Sequence, residues 1–122
     1  LDPLTEPAQF ALEIVGDDPQ LPPNVALHVG LALHELAANS ASFGVLKRRR
    51  GRIRLGITDQ PDRFLLRWDE THDELVAPGD ARFGTAVLTK VLPAATGGEA
   101  RFEMTEKGVH YALTMPHPRR TG

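Results

Sequence analysis

Cysteine is absent from the 122-residue chain. That excludes a disulfide scaffold, thiolate zinc or iron-sulfur sites and a cysteine nucleophile, and it suits a reducing compartment. Aromatic residues are scarce, 6% of the chain with one tryptophan and one tyrosine, so there is no interleaved platform on which nucleic-acid bases could stack. No apolar run approaches the roughly 18 residues that a membrane span needs. The opening LDPLTEP has neither the basic start nor the apolar stretch of a signal peptide. Neither charge sign dominates, since 14 basic and 16 acidic side chains leave a net charge of −2. Also missing are G-x-x-x-x-G-K-[ST], G-x-S-x-G and H-E-x-x-H; the last fails because position 38 is Ala38. Together these absences predict a cytoplasmic domain that contacts neither nucleic acid nor membrane. Residues 1–122 are of single-domain size, and a start at Leu1 suggests a piece cut from a longer multidomain protein.

What is present is periodic. Phe10, Leu12 and Ile14 alternate with Ala11, Glu13 and Val15, as in a half-buried strand. Prolines 22 and 23 can occupy the first turn of a helix, where a missing N–H costs nothing. In the run that follows, Val25, Val29, Ala32, Leu33, Leu36 and Ala37 recur at helical spacing, and Phe43-Gly44 supplies an ending with glycine as a left-handed cap. Ile53, Leu55 and Ile57 alternate, TDQPD turns the chain, and Phe64, Leu66 and Trp68 alternate again. Residues 70–82 mix acids with Pro78 and Gly79 and read as a mobile, lid-like loop. A second helix is expected from Phe83 to about Leu92 or Thr96, with Pro93 leaving its end open and Gly97-Gly98 stopping it. A last hairpin joins Ala100, Phe102 and Met104 to Val109, Tyr111, Leu113 and Met115 across EKG. The order predicts an α+β fold in two layers, a mixed, mostly antiparallel sheet with both helices on one face.

Chemistry concentrates on the first helix. Glu35 and Asn39, four residues apart, project from one face, turned away from the apolar stripe. A carboxylate and an amide so placed suit a hard cation that takes oxygen ligands, with the glutamate polarising a water or hydroxyl. The same spacing is also common on any solvated helix face. His34 is expected to be packed and hydrogen-bonded, and His28 lies six residues away, off the face that a shared metal would require. Six of the eight residues Lys47–Arg54 are basic, so the remainder of the chain is strongly acidic. That cluster is expected at a solvated turn or a surface for a neighbouring domain.

The segments HELAANSASFG, GRIRLGI, Trp68-Asp69-Glu70, ARFGTAVL and a Gly-Gly before the last hairpin resemble, in that order, the ATP-binding catalytic domain of HWE-type sensor histidine kinases. The family's marks are a histidine in its N-box, here His34, and a tryptophan-x-glutamate, here Trp68 with Glu70. The likeness covers residues 10–115 and implies the Bergerat α/β sandwich of the GHKL ATPases. It also implies cofactors, ATP and Mg2+, and partners: a dimerising phosphoacceptor helical domain upstream and a response regulator downstream. By the resemblance Asn39 is the Mg2+-coordinating asparagine, and Glu35 is the N-box carboxylate that aids phosphoryl transfer. Glu70 takes the place of the adenine-contacting acid. Phe83 and Gly84 match the end of a Gly-Phe-Gly whose amides approach phosphate, with Thr85 as a hydroxyl donor.

Several positions depart from that pattern. The N-box of the family ends Asn-Ala-x-Lys-Tyr-Gly, and here reads Asn39-Ser40-Ala41-Ser42-Phe43-Gly44, without the lysine. His72 and Asp73 stand where two glycines are expected, and Arg82 replaces the first glycine of Gly-Phe-Gly. Arg82 either restores the lost positive charge beside the phosphates or fills the pocket. Two functions follow as alternatives: a working Mg-ATP site that phosphorylates histidine, or a degenerate domain that binds no nucleotide and serves as an interaction module in a phosphorelay.

Overall fold

The computed structural model describes residues 9–16, 21–43, 45, 50–72 and 86–117. Strand β1 (Gln9–Gly16) is followed by helix α1 (Pro23–Phe43), strands β2 (Arg50–Asp59) and β3 (Arg63–Thr71), a π-helical stretch (Val87–Val91) running directly into helix α2 (Leu92–Thr96), and strands β4 (Glu99–Thr105) and β5 (Gly108–Pro116). Helix α1 begins at Pro23, and the carbonyl of Pro22 accepts the first helical bond from the Ala26 N–H, 2.9 Å. Thus the two prolines mark the start, as their fixed φ and missing donors dictate. Gly44 and its expected capping role lie outside the described residues.

The five strands form one sheet in the order β1-β2-β3-β5-β4. Only β1 and β2 pair in parallel, the crossover between them being α1; the other pairs are antiparallel. The expected mixed, mostly antiparallel sheet with helices on one face is therefore what forms. Its inner face carries Ile53, Phe64, Leu66, Trp68, Tyr111, Leu113 and Met115, packed against Val25, Val29, Ala32 and Leu36 of α1 and Leu88 and Leu92 of the second helical segment. This single core is what places the end of α1 against β3.

The expectation for β1 needs correction. Leu12 and Ile14 share the register of Ile53 and Leu55, on the helix side, yet they are 57% and 76% exposed. The strand lies at the sheet's edge, beyond the helices that cover the centre, so alternation reported the face without reporting what covers it. His34, expected to be packed, is exposed, and Glu70 and Thr71, expected to open a loop, belong instead to β3.

Pro93 does not end the second helical segment; it widens it. The Leu92 N–H reaches back five residues to the Val87 carbonyl, and proline has no N–H to offer Leu88 in turn. The Leu88 carbonyl is instead met by the Tyr111 hydroxyl at 2.7 Å. Burial pushes the Tyr111 phenol above its ordinary pKa, so the hydroxyl remains a donor. Replacing Tyr111 with phenylalanine should strand that buried carbonyl and cost about 1–3 kcal/mol in chemical denaturation. A loss under about 0.5 kcal/mol would show that the π turn needs no outside donor. Gly97, at φ 73°, caps α2 in the left-handed region.

On the outer face Glu13, Arg54, Asp69, His110 and Glu103 form one transverse row. Asp69 accepts from His110 Nδ1 at 2.8 Å and from Arg67 at 3.3 Å. Burial raises the pKa of the Asp69 carboxyl, but the His110 and Arg67 hydrogen bonds and charges outweigh this and hold it below the ordinary 3.8. A folded-state value below the unfolded one adds stability that is present above pH 3.8 and is lost as pH falls through the lowered value. Asp69→Asn should therefore flatten the acid limb of a urea-denaturation pH profile while lowering stability near neutrality. An unchanged acid limb would remove Asp69 from acid unfolding.

Candidate functional site

Strand alternation in Trp68-Asp69-Glu70 sends the first and third side chains inward and the second outward, and the burial along β3 alternates accordingly. Glu70 is completely buried. Its Oε1 accepts from the indole N–H of Trp68 at 3.1 Å, and its Oε2 accepts from the hydroxyl of Ser40 at 2.8 Å and the backbone N–H of Val45 at 2.6 Å. A buried carboxylate is tolerable only when donors replace its hydration, and three directed donors do so here. The strand end is tightly built. A Cβ at Gly108 would collide with the Glu70 carbonyl, and one at Gly51, which has φ 115°, would collide with the Thr71 carbonyl and the Val45 side chain.

Both oxygens of Glu70 thus face protein donors, and none of its surface is open to a ligand. A contact with adenine, the place the resemblance gave it, would require the groups that cover the carboxylate to move, since it is completely buried. The structure instead links Glu70 to α1 and to the turn after it. Sequence reasoning missed these partners because Ser40 and Val45 stand 30 and 25 residues away.

Asn39 adjoins Ser40 near the end of α1 and is 7% exposed. Among the described residues two buried side-chain atoms have no hydrogen-bond partner, Asn39 Oδ1 and His72 Nδ1. An unpaired amide oxygen in a protein interior costs about 1–3 kcal/mol, and such atoms call for an occupant or a function. A hard divalent cation accepts this kind of donor, so Asn39 fits the Mg2+ role implied for it. Glu35 is half-buried one turn earlier on the same face. His72 directly follows β3, and its backbone N–H donates to the Lys107 carbonyl at 2.8 Å. Arg82, Phe83, Gly84 and Thr85, and the expected lid from residue 73 on, lie outside the described residues.

Two surface clefts lie elsewhere. One of about 330 Å³, between the start of α1, α2 and the end of β5, is lined by His28 and His117, and another of about 430 Å³ is lined by Arg67, Arg101 and His110. Neither is lined by Glu35, Asn39 or Glu70.

No family model matches the chain. Individual proteins do. A blue-light-activated histidine kinase of Erythrobacter litoralis is 26% identical over 114 residues, 88% of this chain and 31% of that protein. One from Rhizobium johnstonii is 28% identical over 107 residues, 83% of this chain and 30% of that protein. The chain thus spans about a third of the length of these curated relatives. Among solved structures, the histidine kinase domain of the E. litoralis blue-light-activated kinase superposes with a TM-score of 0.70 at 14% identity, over 88% of this chain and 54% of that one. The histidine kinase ThkA, in complex with the response regulator TrrA, superposes with a TM-score of 0.60 at 14% identity, over 89% of this chain and 34% of that one. In sequence, then, this chain is similar to blue-light-activated histidine kinases, and it has the fold of a histidine kinase catalytic domain.

Proposed function

We propose that residues 1–122 are the ATP-binding catalytic domain of an HWE-type sensor histidine kinase, which binds Mg-ATP and passes the γ-phosphoryl group to a histidine on a separate dimerising helical domain. The observation that carries this reading is Asn39 Oδ1, a buried oxygen without a partner on the helix face it shares with Glu35. In this reading Asn39 holds the Mg2+, which when bound offsets the charge of the phosphate oxygens. Glu35, half-buried one turn away, accepts a hydrogen bond from the attacking group and polarises it. By the resemblance Phe83, Gly84 and Thr85 would meet the phosphates, and Arg82 would either restore the lost positive charge there or fill the pocket; all four lie outside the described residues. The helical domain lies upstream in the longer chain and a response regulator downstream, the latter supported by the ThkA complex. The domain works in the cytoplasm; no helix among the described residues is long and apolar enough to cross a membrane.

The test of this function is transfer in trans, with radiolabelled Mg-ATP and a dimerising helical domain that carries the acceptor histidine. Wild type should label the acceptor. Glu35→Ala should bind ATP as before and slow transfer by about 10²-fold or more, the scale of a lost general acid–base group. Unchanged transfer would exclude Glu35 from the chemistry.

A second reading has an observation of its own. The donors that occupy Glu70 close the place where adenine would be read, which suits a docking module that binds no nucleotide. That reading expects neither labelling nor nucleotide affinity.

A further inference from the structure

We propose that Glu70 is a positioning residue, a clasp whose buried carboxylate fixes the end of α1 and so aims Asn39, rather than a residue that touches adenine. The inference rests on the proposed role of Asn39 for its functional consequence, while its structural part stands by itself.

Three donors, from α1, from the chain just beyond it and from β3, converge on this one carboxylate. Oε2 holds α1 through Ser40 and the chain just beyond α1 through the Val45 amide, and Oε1 is held in turn by Trp68 on its own strand. A helix end has carbonyls and a last turn that fray unless tied down. Here the tie is made from β3, on the residue adjacent to Asn39, so the azimuth of the last helical turn is set by the sheet. Asn39 Oδ1 makes no hydrogen bond of its own, so no polar contact of that oxygen positions it, and the placement of its Cα and Cβ is set by the helix turn that carries it. A ligand atom so held loses little entropy on binding, which is how a supporting hydrogen bond raises affinity without touching the ligand. Ser40 is a further departure: it stands where the N-box pattern has alanine, so the Ser40 hydroxyl is an attachment that the pattern does not contain.

Ser40→Ala removes one donor and leaves Trp68 and the Val45 amide on Glu70, so the fold should survive. By nuclear magnetic resonance the side-chain NH2 signals of Asn39, identified by their loss in Asn39→Ala, should shift, and exchange of the Val45 amide should quicken by about tenfold or more. Ser40→Thr should restore both. In titrations, Ser40→Ala should weaken Mg-dependent ATP binding by about fivefold, the scale of one hydrogen bond, and leave adenosine affinity within a factor of about two. Unchanged Asn39 and Val45 signals would overturn the clasp. An equal loss for adenosine and Mg-ATP would overturn it too, by placing the network at the base. If wild-type protein binds no nucleotide, the proposed function fails, and the resonance signals alone still decide whether Glu70 sets the end of α1.

Discussion

Asn39→Ala should abolish magnesium-dependent ATP binding, weakening it by at least about 100-fold, or about 2.7 kcal/mol, while leaving the protein folded. The loss is expected to be large because the amide oxygen is a hard donor that is buried without a protein partner. Few of the costs that usually accompany a buried substitution apply. Since Oδ1 bonds no protein group, its removal strands no donor, and folding loses an unsatisfied acceptor rather than a contact. The check is calorimetric titration with ATP in the presence and absence of magnesium chloride, beside a thermal melt of the same sample. Wild-type affinity in the mutant would remove Asn39 from the metal site. A collapsed melt would assign it a structural role.

Glu70→Ala should act in the opposite manner, on stability first. The substitution leaves the Trp68 indole, the Ser40 hydroxyl and the Val45 amide buried without their acceptor. Each stranded donor costs about 1–3 kcal/mol, so the sum should exceed about 3 kcal/mol. For a domain of this size that is a fall in melting temperature of roughly 10 °C or more. Denaturant titration followed by fluorescence of Trp68, the only tryptophan, reports the same site directly. A loss below about 1 kcal/mol would mean that water or a rearranged α1 end replaces the carboxylate.

Most of the architecture was legible because it rests on local periodicity. The stripe of Val25, Val29, Ala32 and Leu36 marked the inner face of α1, and the alternations around Leu66 and Leu113 marked the two central strands, all now in one core. The family likeness was legible for a different reason, since it is carried by short segments that keep their order along the chain. What was hidden required knowledge of neighbours. Leu12 and Ile14 alternate as a buried strand would, but the edge position that exposes them is set by the parallel pairing of β1 with β2. Pro93 left the end of the second helix open, and the approach of Tyr111 from β5 is what makes a widened turn tolerable there. Glu70 could be named from its tryptophan-x-glutamate setting, yet its donors come from distant Ser40 and Val45, and no spacing rule joins them. Conversely, that Glu35 and Asn39 share one face was legible from spacing, because helix geometry makes residues four apart neighbours, while the roles expected of them come from the family resemblance.

Calorimetric titration of the wild-type chain with ATP, with and without magnesium chloride, decides whether the proposed Mg-ATP site works. Saturable binding is expected, stronger when magnesium is present and dependent on Asn39. A folded wild-type protein that gives no saturable heat with ATP, with or without magnesium, would contradict it.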